Sequence, residues 1–241
     1  MERTAYALLE GMEASWWYQG RIAAIRAVLK HAGVQKVSTA LDYGAGYGGM
    51  RSTFGLLAEH TDAFEPDGTA RNAASKRSYR NIFADEESAF KNSYDLIGLF
   101  DVLEHIEDDK AFLMRALPVL SHTDKISGRL VITVPAFMTL WGAHDVAHHH
   151  FRRYTKVSLR KLLTSVGYEV EYVSYWNCAM LIPASILRFA GRSGEGGLTP
   201  PQFVNAILHG LVNLEAFILQ YVPLPFGLSI VVLVKKAASG K

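Results

Sequence analysis

A glycine-rich segment, LDYGAGYGGM at 41–50, has residue types that let backbone amides approach a charged ligand closely. Its glycines fit G-x-G-x-x-G, which is typical of dinucleotide sites, and they also fit G-x-G-x-G. Asp42 stands two positions before Gly44, the first of these glycines. Because a carboxylate there would repel a pyrophosphate, the segment favours a cofactor whose charged parts are an ammonium and a sulfonium.

Carboxylates also end three further apolar segments. Glu65 follows TDAF, Asp85 follows NIFA, and Asp101 follows LIGLF. Each of these segments has the length and composition of a buried strand. Since ligands of open parallel sheets bind at the carboxyl ends of the strands, we expect these acids to face one site.

Two groups of residues have the chemistry for proton transfer or metal binding. Asp101, Glu104 and His105 form D-x-x-E-H, and a cluster of histidines follows VPAFMTLWGA. A neutral histidine is the side chain best suited to accept a proton near pH 7, so we expect His144 or His150 to be the general base. No zinc motif fits around these histidines, and we expect no bound metal.

The segment HFRRYT, which ends this histidine cluster, offers an anion-binding group. Arg153 and Tyr154, together with Arg152, suit a carboxylate or phosphate on a substrate, because a guanidinium is a bidentate fork. The alternative is that the segment braces the next helix, with Thr155 as its N-cap and the arginines paired to acids.

Helix-like and strand-like patterns alternate along the chain. Helices are predicted at about 14–31, from the glycines of 44–49 onward, in DDKAFLMRALPVL and at about 157–166. Strands are predicted at VSTALDYG, TDAFEPDG, NIFAD, YDLIGLFD, GRLVITVP, EVEYVSYW and LSIVVLVKK. This alternation predicts an α/β fold, a doubly wound, mostly parallel, seven-stranded Rossmann-like sheet with helices on both faces.

Two apolar helical segments lie between the last two predicted strands, in MLIPASILRFAG and PPQFVNAILHGLVNLEAFILQYVPLP. We predict one domain with a helical lid at 1–35, a cofactor-binding core at 36–175, this helical insertion at 176–226, and a last strand and tail at 227–241. The insertion is expected to cover the acceptor pocket, or else to pack on the sheet or a second subunit. Its polar members would face that pocket, namely Asn177, Asn205, His209, Asn213 and Glu215.

As a set, these residues resemble the class I S-adenosylmethionine-dependent methyltransferases, over about residues 16–236. The resemblance implies that the glycine loop lies against the methionine part of the cofactor. It also implies that Glu65 accepts hydrogen bonds from the ribose hydroxyls and that Asp85 meets the adenine amino group. The expected cofactor-binding residues are Trp17, Arg21, Asp42, Gly44, Ala45, Gly46, Gly48, Glu65, Pro66, Asp85, Phe100 and Asp101.

A finer resemblance is to a bacterial subgroup with WWF-x-x-R before the first strand and H-x-RRYT after the fifth. The corresponding segments here read WWYQGR and HFRRYT. We expect Trp17 and Arg21 to form a lid over the cofactor, and the alternative is a helix packed on the core. The D-x-x-E-H segment is also similar to the E-x-x-E-H of metal-assisted quinone O-methyltransferases.

The expected reaction is methyl transfer from S-adenosylmethionine to an oxygen, or a nitrogen, of a small, fairly apolar acceptor. An aromatic, isoprenoid or lipid-linked molecule would fit. Three alternatives stay open. They are a metal-assisted catechol or quinone O-methyltransferase, a nicotinamide-dependent oxidoreductase, and a catalytically silent module of the same fold acting at a membrane surface or on a partner.

Composition limits the partners. The chain has 241 residues, 49% of them hydrophobic, which suffices for one domain with a substantial core. A net charge of +2 without a dominant basic run argues against nucleic acid. A single cysteine and an N-terminus without an apolar signal region predict a cytoplasmic protein. Apolar residues after Tyr172 leave peripheral membrane contact and a homodimer open, although prolines divide the longest uncharged stretch, 216–234.

Overall fold

The structure, a computed structural model, describes residues 12–122, 127–189 and 201–238. Part of the predicted lid (1–11), part of the insertion (190–200) and the last three residues of the tail lie outside these ranges. The described strands are β1 (Val37–Tyr43), β2 (Ala58–Phe64), β3 (Ile82–Phe83), β4 (Leu96–Phe100), β5 (Arg129–Pro135), β6 (Tyr168–Trp176) and β7 (Ser229–Lys236). The described α-helices are α1 (Trp16–His31), α2 (Arg51–Leu57), α3 (Gly68–Ala74), α4 (Glu86–Phe90), α5 (Asp109–Ala116), α6 (Ala143–Ala147), α7 (Lys156–Ser165), α8 (Leu181–Phe189) and α9 (Gln202–Leu219).

The seven strands form one sheet in the order β3-β2-β1-β4-β5-β7-β6. Strands β1 to β5 pair in parallel, and β7 runs antiparallel to both of its neighbours. The predicted doubly wound, mostly parallel, seven-stranded sheet is therefore confirmed. The strand order reverses between β1 and β4, so a crevice opens at their carboxyl ends, where ligands of such sheets bind.

The sheet is buried on both faces because its strands carry apolar side chains on both sides. In β7, Ile230, Val232 and Val234 belong to an apolar cluster that also contains residues of α4, α5 and α7, and the alternating residues Val231 and Leu233 belong to a second cluster with residues of α1, α2 and α9. A side-chain period of two thus builds two apolar clusters from one continuous apolar run.

The insertion packs against the N-terminal helix. Gly20 of α1 lies under α9, where an added Cβ would stand 2.9 Å from the Cβ of Val212. The backbone N–H of Trp16 donates to Oδ1 of Asn205 at 3.0 Å, and Glu215 accepts from the backbone N–H groups of residues 178 and 179. The side chains of Asn205 and Glu215 therefore help to hold the insertion in place, and a contact of the insertion with an acceptor stays a prediction.

Helix α9 is also the one described helix that is long and apolar enough to cross a membrane by length and composition, and 17% of it is buried inside the protein. Its face away from α1 exposes large apolar side chains, namely Phe203, Ile207, Leu214 and Phe217. The helix ends at Leu219 and β7 begins at Ser229, so a helix end and a strand share the uncharged stretch 216–234 that the prolines divide.

Candidate active site

The glycine segment forms a tight loop at the carboxyl end of β1. Gly44, Gly46 and Gly48 have φ angles of 74°, 54° and 77°, a region that side chains disfavour. The backbone N–H of Gly44 donates to the carbonyl of Phe64 at 2.9 Å, which ties the loop to the end of β2. A Cβ at Gly44 would lie 2.7 Å from Cγ2 of Val102, so only glycine fits there.

Glu65, directly after β2, holds this loop. Its carboxylate is buried and accepts from the backbone N–H of Gly46 at 2.7 Å and from that of Asp67 at 2.9 Å. Burial raises the pKa of Glu65, although these hydrogen bonds oppose the rise. Pro66 is exposed, and its carbonyl accepts from the guanidinium of Arg71 at 3.0 Å. The ribose contact of Glu65 stays a prediction.

Asp42 lies at the same edge of the sheet and is buried. The hydroxyl of Tyr79 donates to its Oδ2 at 2.6 Å. Burial raises the pKa of Asp42 to about 7, while the Tyr79 hydrogen bond and the charge of Arg21 oppose the rise. Nothing in the sequence pointed to Tyr79, because it lies in a polar loop before β3 and reaches Asp42 only through the fold.

Arg21 extends from α1 to the carboxyl end of β4. Its Nη1 lies 2.8 Å from Oδ2 of Asp101, and its guanidinium lies 4.7 Å from the ring centroids of Trp17 and of Tyr18. The Nε of Arg21 is buried and has no hydrogen-bond partner among the described residues. Asp101 itself has a φ of 57° and accepts from the hydroxyl of Thr133 at 3.1 Å. The helix that carries Arg21 therefore covers the site predicted at this edge.

Two expected cofactor residues have other contacts here. The ring of Phe100 packs on that of Phe54, with centroids 5.7 Å apart, inside the apolar cluster beneath α1 and α2. Asp85 is exposed at the carboxyl end of β3, and its side chain caps α4 by accepting from the N–H of Ser88 at 2.8 Å. Their contacts with a cofactor stay predictions.

The fully buried Asp145 is the centre of a second polar group, after β5. It accepts from the N–H of Gly142 at 2.8 Å, from Nδ1 of His150 at 2.9 Å and from Nε of Arg153 at 2.7 Å. Burial raises the pKa of Asp145, but the hydrogen bonds from His150 and Arg153 outweigh it and hold that pKa well below its usual range. Because an ionised carboxylate can only accept, the His150 proton lies on Nδ1, which leaves Nε2 as the acceptor.

Glu104 and His105 meet His150 in space, which D-x-x-E-H alone did not indicate. One ligand atom from each of these three residues lies within 4.8 Å of the other two. Glu104 is fully buried, and neither of its carboxylate oxygens has a hydrogen-bond partner among the described residues. Burial, followed by the charge of Asp101, raises the pKa of Glu104 well above its usual value. Burial and the neighbouring His150 lower the pKa of His105 to about 4.

The two histidines expected to act as bases differ in their surroundings. His150 is held by Asp145, and its ring meets that of His105 edge to face at 4.6 Å. His144 is exposed and its ring lies 4.2 Å from that of His148 and 6.0 Å from that of His150. The carboxylate contact makes His150 the better oriented of the two.

The side chains of Arg153 and Tyr154 form hydrogen bonds to other groups of the protein. Besides its bond to Asp145, Arg153 donates from Nη1 to the carbonyl of residue 136 at 3.1 Å. The buried hydroxyl of Tyr154 donates to Oδ2 of Asp109 at 2.8 Å, and Thr155 caps α7. These contacts give the segment the bracing role that the sequence left as an alternative to binding an anionic acceptor.

Comparison with known proteins places the chain in a family. The family model for a methyltransferase domain matches residues 16–173, and no curated protein sequence matches the chain. Among solved structures, it is similar to the plantazolicin methyltransferase BpumL in complex with S-adenosylhomocysteine (SAH), at 15% identity and a TM-score of 0.57, covering 98% of this chain and 88% of that one. It is similar to the methyltransferase bound to the Trm112 activator of Haloferax volcanii, at 14% identity and a TM-score of 0.63, covering 99% and 96%.

A third similar structure is the mycolic acid cyclopropane synthase CmaA1 with SAH and CTAB, at 16% identity and a TM-score of 0.54, covering 89% and 84%. At these identities the similarity shows the fold, and the family model carries the membership. The chain therefore belongs to the methyltransferase domain family, and its sheet is that of the class I S-adenosylmethionine-dependent methyltransferases.

Proposed function

We propose that this methyltransferase moves a methyl group from S-adenosylmethionine to an oxygen atom of a small, fairly apolar acceptor. One observation carries the proposal. At the point where the strand order reverses, the glycine loop, Glu65 and Asp101 lie at neighbouring strand ends, and Arg21 closes over them from α1. Binding groups at strand ends with a helix above them form a site from which water can be excluded.

The residues at this edge fit the cofactor group by group. The Nε of the buried Arg21, for which the described part of the chain offers no partner, suits a carboxylate, because a guanidinium binds one through two N–H groups. The carboxyl group of Asp42 suits an ammonium, and Glu65 suits the ribose hydroxyls. When bound, the cofactor supplies a methyl group on a sulfonium; the acceptor oxygen bonds to the methyl carbon as the C–S bond breaks, and SAH is the leaving group. The chain contributes chiefly by positioning the two reactants.

The acceptor is proposed to lie over Glu104 and His150, next to Asp101. The segment that carries His150 also exposes Met138 (53%), Val146 (61%) and Phe151 (49%), and these side chains would contact an apolar molecule. An oxygen acceptor is favoured because a histidine base is oriented at this place.

His150 is the proposed base. Asp145 holds the proton on Nδ1, so Nε2 takes the acceptor's proton while the acceptor oxygen bonds to the methyl group. The resulting imidazolium is stabilised by the ionised Asp145. His144, the other histidine expected in this role, is exposed, and its ring is tilted by 44° against that of His148.

The test is calorimetric titration of the protein with SAH, using NADH as the control ligand. Arg21→Lys should weaken SAH binding at least tenfold, which is a loss of about 1.4 kcal/mol in binding free energy. The reason is that a lysine ammonium cannot bind a carboxylate through two parallel N–H groups as a guanidinium does. Lys30→Ala, an exposed position on the same helix, is the matched control and should bind SAH normally. Binding of SAH alone opens a screen of phenolic, isoprenoid and lipid-linked acceptors with labelled methyl groups. No SAH binding by the wild-type protein would refute the function.

A further inference from the structure

We propose that Glu104, His105 and His150 form a binding site for a divalent transition-metal ion on the acceptor side of the active site. The inference rests on the proposed function for its place beside the reacting groups, and on the side-chain geometry for everything else. It replaces the expectation from sequence that no metal is bound.

The three side chains have the spacing of an ion site. Their ligand atoms lie within 4.8 Å of one another. Nitrogen and oxygen ligands stand about 2.1 Å from such an ion, so two ligands at the tetrahedral angle are about 3.4 Å apart. Side-chain rotations that shorten each separation by up to about 1.4 Å would therefore bring Glu104, His105 and His150 into coordination.

The surroundings of Glu104 are independent evidence for a bound cation. It is fully buried, and both of its carboxylate oxygens lack a hydrogen-bond partner among the described residues. A buried polar group without a partner is unfavourable, by about 1–3 kcal/mol and more for a charge. The backbone around Glu104 is well held, because its carbonyl accepts from the N–H of Phe151 at 2.8 Å. A cation would satisfy both oxygens without moving this backbone.

His150 is oriented as metal-binding histidines are. Such a histidine usually donates its second ring N–H to a carboxylate, which fixes the ring and its tautomer. Here Nδ1 of His150 faces Oδ1 of Asp145, and Arg153 and Gly142 hold Asp145 in turn. The other ring nitrogen of His150, Nε2, therefore faces away from Asp145. The His150 ring lies edge to face with the ring of His105.

The ligand types select the class of ion. Two imidazoles and one carboxylate suit Zn²⁺, Co²⁺, Fe²⁺ or Mn²⁺ better than Mg²⁺ or Ca²⁺, which prefer all-oxygen sites. Three protein ligands leave coordination positions for an acceptor oxygen. With an ion bound, His150 would be a ligand instead of the base, and the ion would supply a lowered pKa for an acceptor hydroxyl, whose proton would pass to solvent water.

The test is metal binding, measured without activity. Full-length protein stripped with a chelator and desalted is titrated with Zn²⁺ by calorimetry, and with Co²⁺ by visible absorption. We expect one ion per chain, with at least tenfold weaker binding in each of Glu104→Gln, His105→Gln and His150→Gln. His60→Gln, at an exposed histidine of β2, is the matched control and should bind within twofold of wild type.

SAH titration of every variant shows whether it is folded and separates the two proposals. Absence of metal binding in a wild-type protein that binds SAH would overturn this inference alone. Binding that survives Glu104→Gln and His105→Gln in SAH-competent protein would overturn it as well, because the ion would then sit on other histidines. Asp145→Asn should weaken Zn²⁺ about tenfold or more through the orientation of His150.

Discussion

Asp145→Asn should destabilise the protein strongly at neutral pH. Asp145 is fully buried, and the side chain of Arg153, whose Nε lies 2.7 Å from it, is 4% exposed. Removing one partner of a buried ion pair costs about 3–5 kcal/mol, because the other charge stays buried. The asparagine oxygen can still accept one hydrogen bond, so we expect a loss of about 3 kcal/mol in the free energy of unfolding at pH 7.

The same substitution should change the pH dependence of stability. Hydrogen bonds from His150 and Arg153 hold the pKa of Asp145 below its usual value, in spite of burial. Its contribution to stability is therefore complete above the unfolded pKa of about 4 and is lost as the pH falls through the lower, folded pKa. The gap between wild type and Asp145→Asn should be widest near pH 7 and narrow below about pH 4.

Urea unfolding followed by tryptophan fluorescence at pH 7, 5 and 3.5 measures both effects. Glu59→Gln, at an exposed carboxylate of β2, is the control and should stay within about 0.5 kcal/mol of wild type at pH 7. A loss below 1 kcal/mol in the free energy of unfolding at pH 7 would contradict a buried Asp145–Arg153 ion pair. An equal loss at pH 7 and pH 3.5 would contradict the assigned ionisation of Asp145.

Two further predictions concern the cofactor edge. Tyr79→Phe removes a hydrogen bond that opposes the rise of the Asp42 pKa to about 7, so the pH at which SAH affinity increases should move upward. Calorimetry between pH 6 and 8.5 checks this, and an unchanged profile would count against it. Gly44→Ala forces a side chain to φ 74° and to within 2.7 Å of Val102, which should cost about 1–3 kcal/mol of stability and weaken SAH binding. Thermal unfolding and calorimetry measure both, and a variant equal to wild type would refute the tight loop.

The cofactor edge was largely predictable because local patterns determine it. Buried strands are continuous apolar runs, and their alternation with helices implies a parallel sheet whose carboxyl ends meet. Asp42, Glu65 and Asp101 therefore lie at one edge, as the sequence indicated. The hydrogen bonds of Glu65 to Gly46 and of Tyr79 to Asp42 were not predictable, because each joins residues that only the tertiary fold brings together.

The acceptor side was less predictable for a similar reason. The sequence contains D-x-x-E-H and a run of histidines, but no local spacing says that His150, and not one of its neighbours, meets Glu104. The insertion was predicted to be helical. Because α9 is apolar on nearly every face, its pattern does not reveal which side packs on α1. Contacts such as that of Trp16 with Asn205 decide the packing.

The close contact between Gly20 and Val212 couples helix α1 to helix α9. Separating them would expose Val212, Ala216 and Leu219 to water, whereas moving them together keeps these side chains covered. A displacement of α1 away from the edge beneath Arg21 would therefore carry α9 with it, so residues of α9 far from the glycine loop can influence how a ligand reaches that loop.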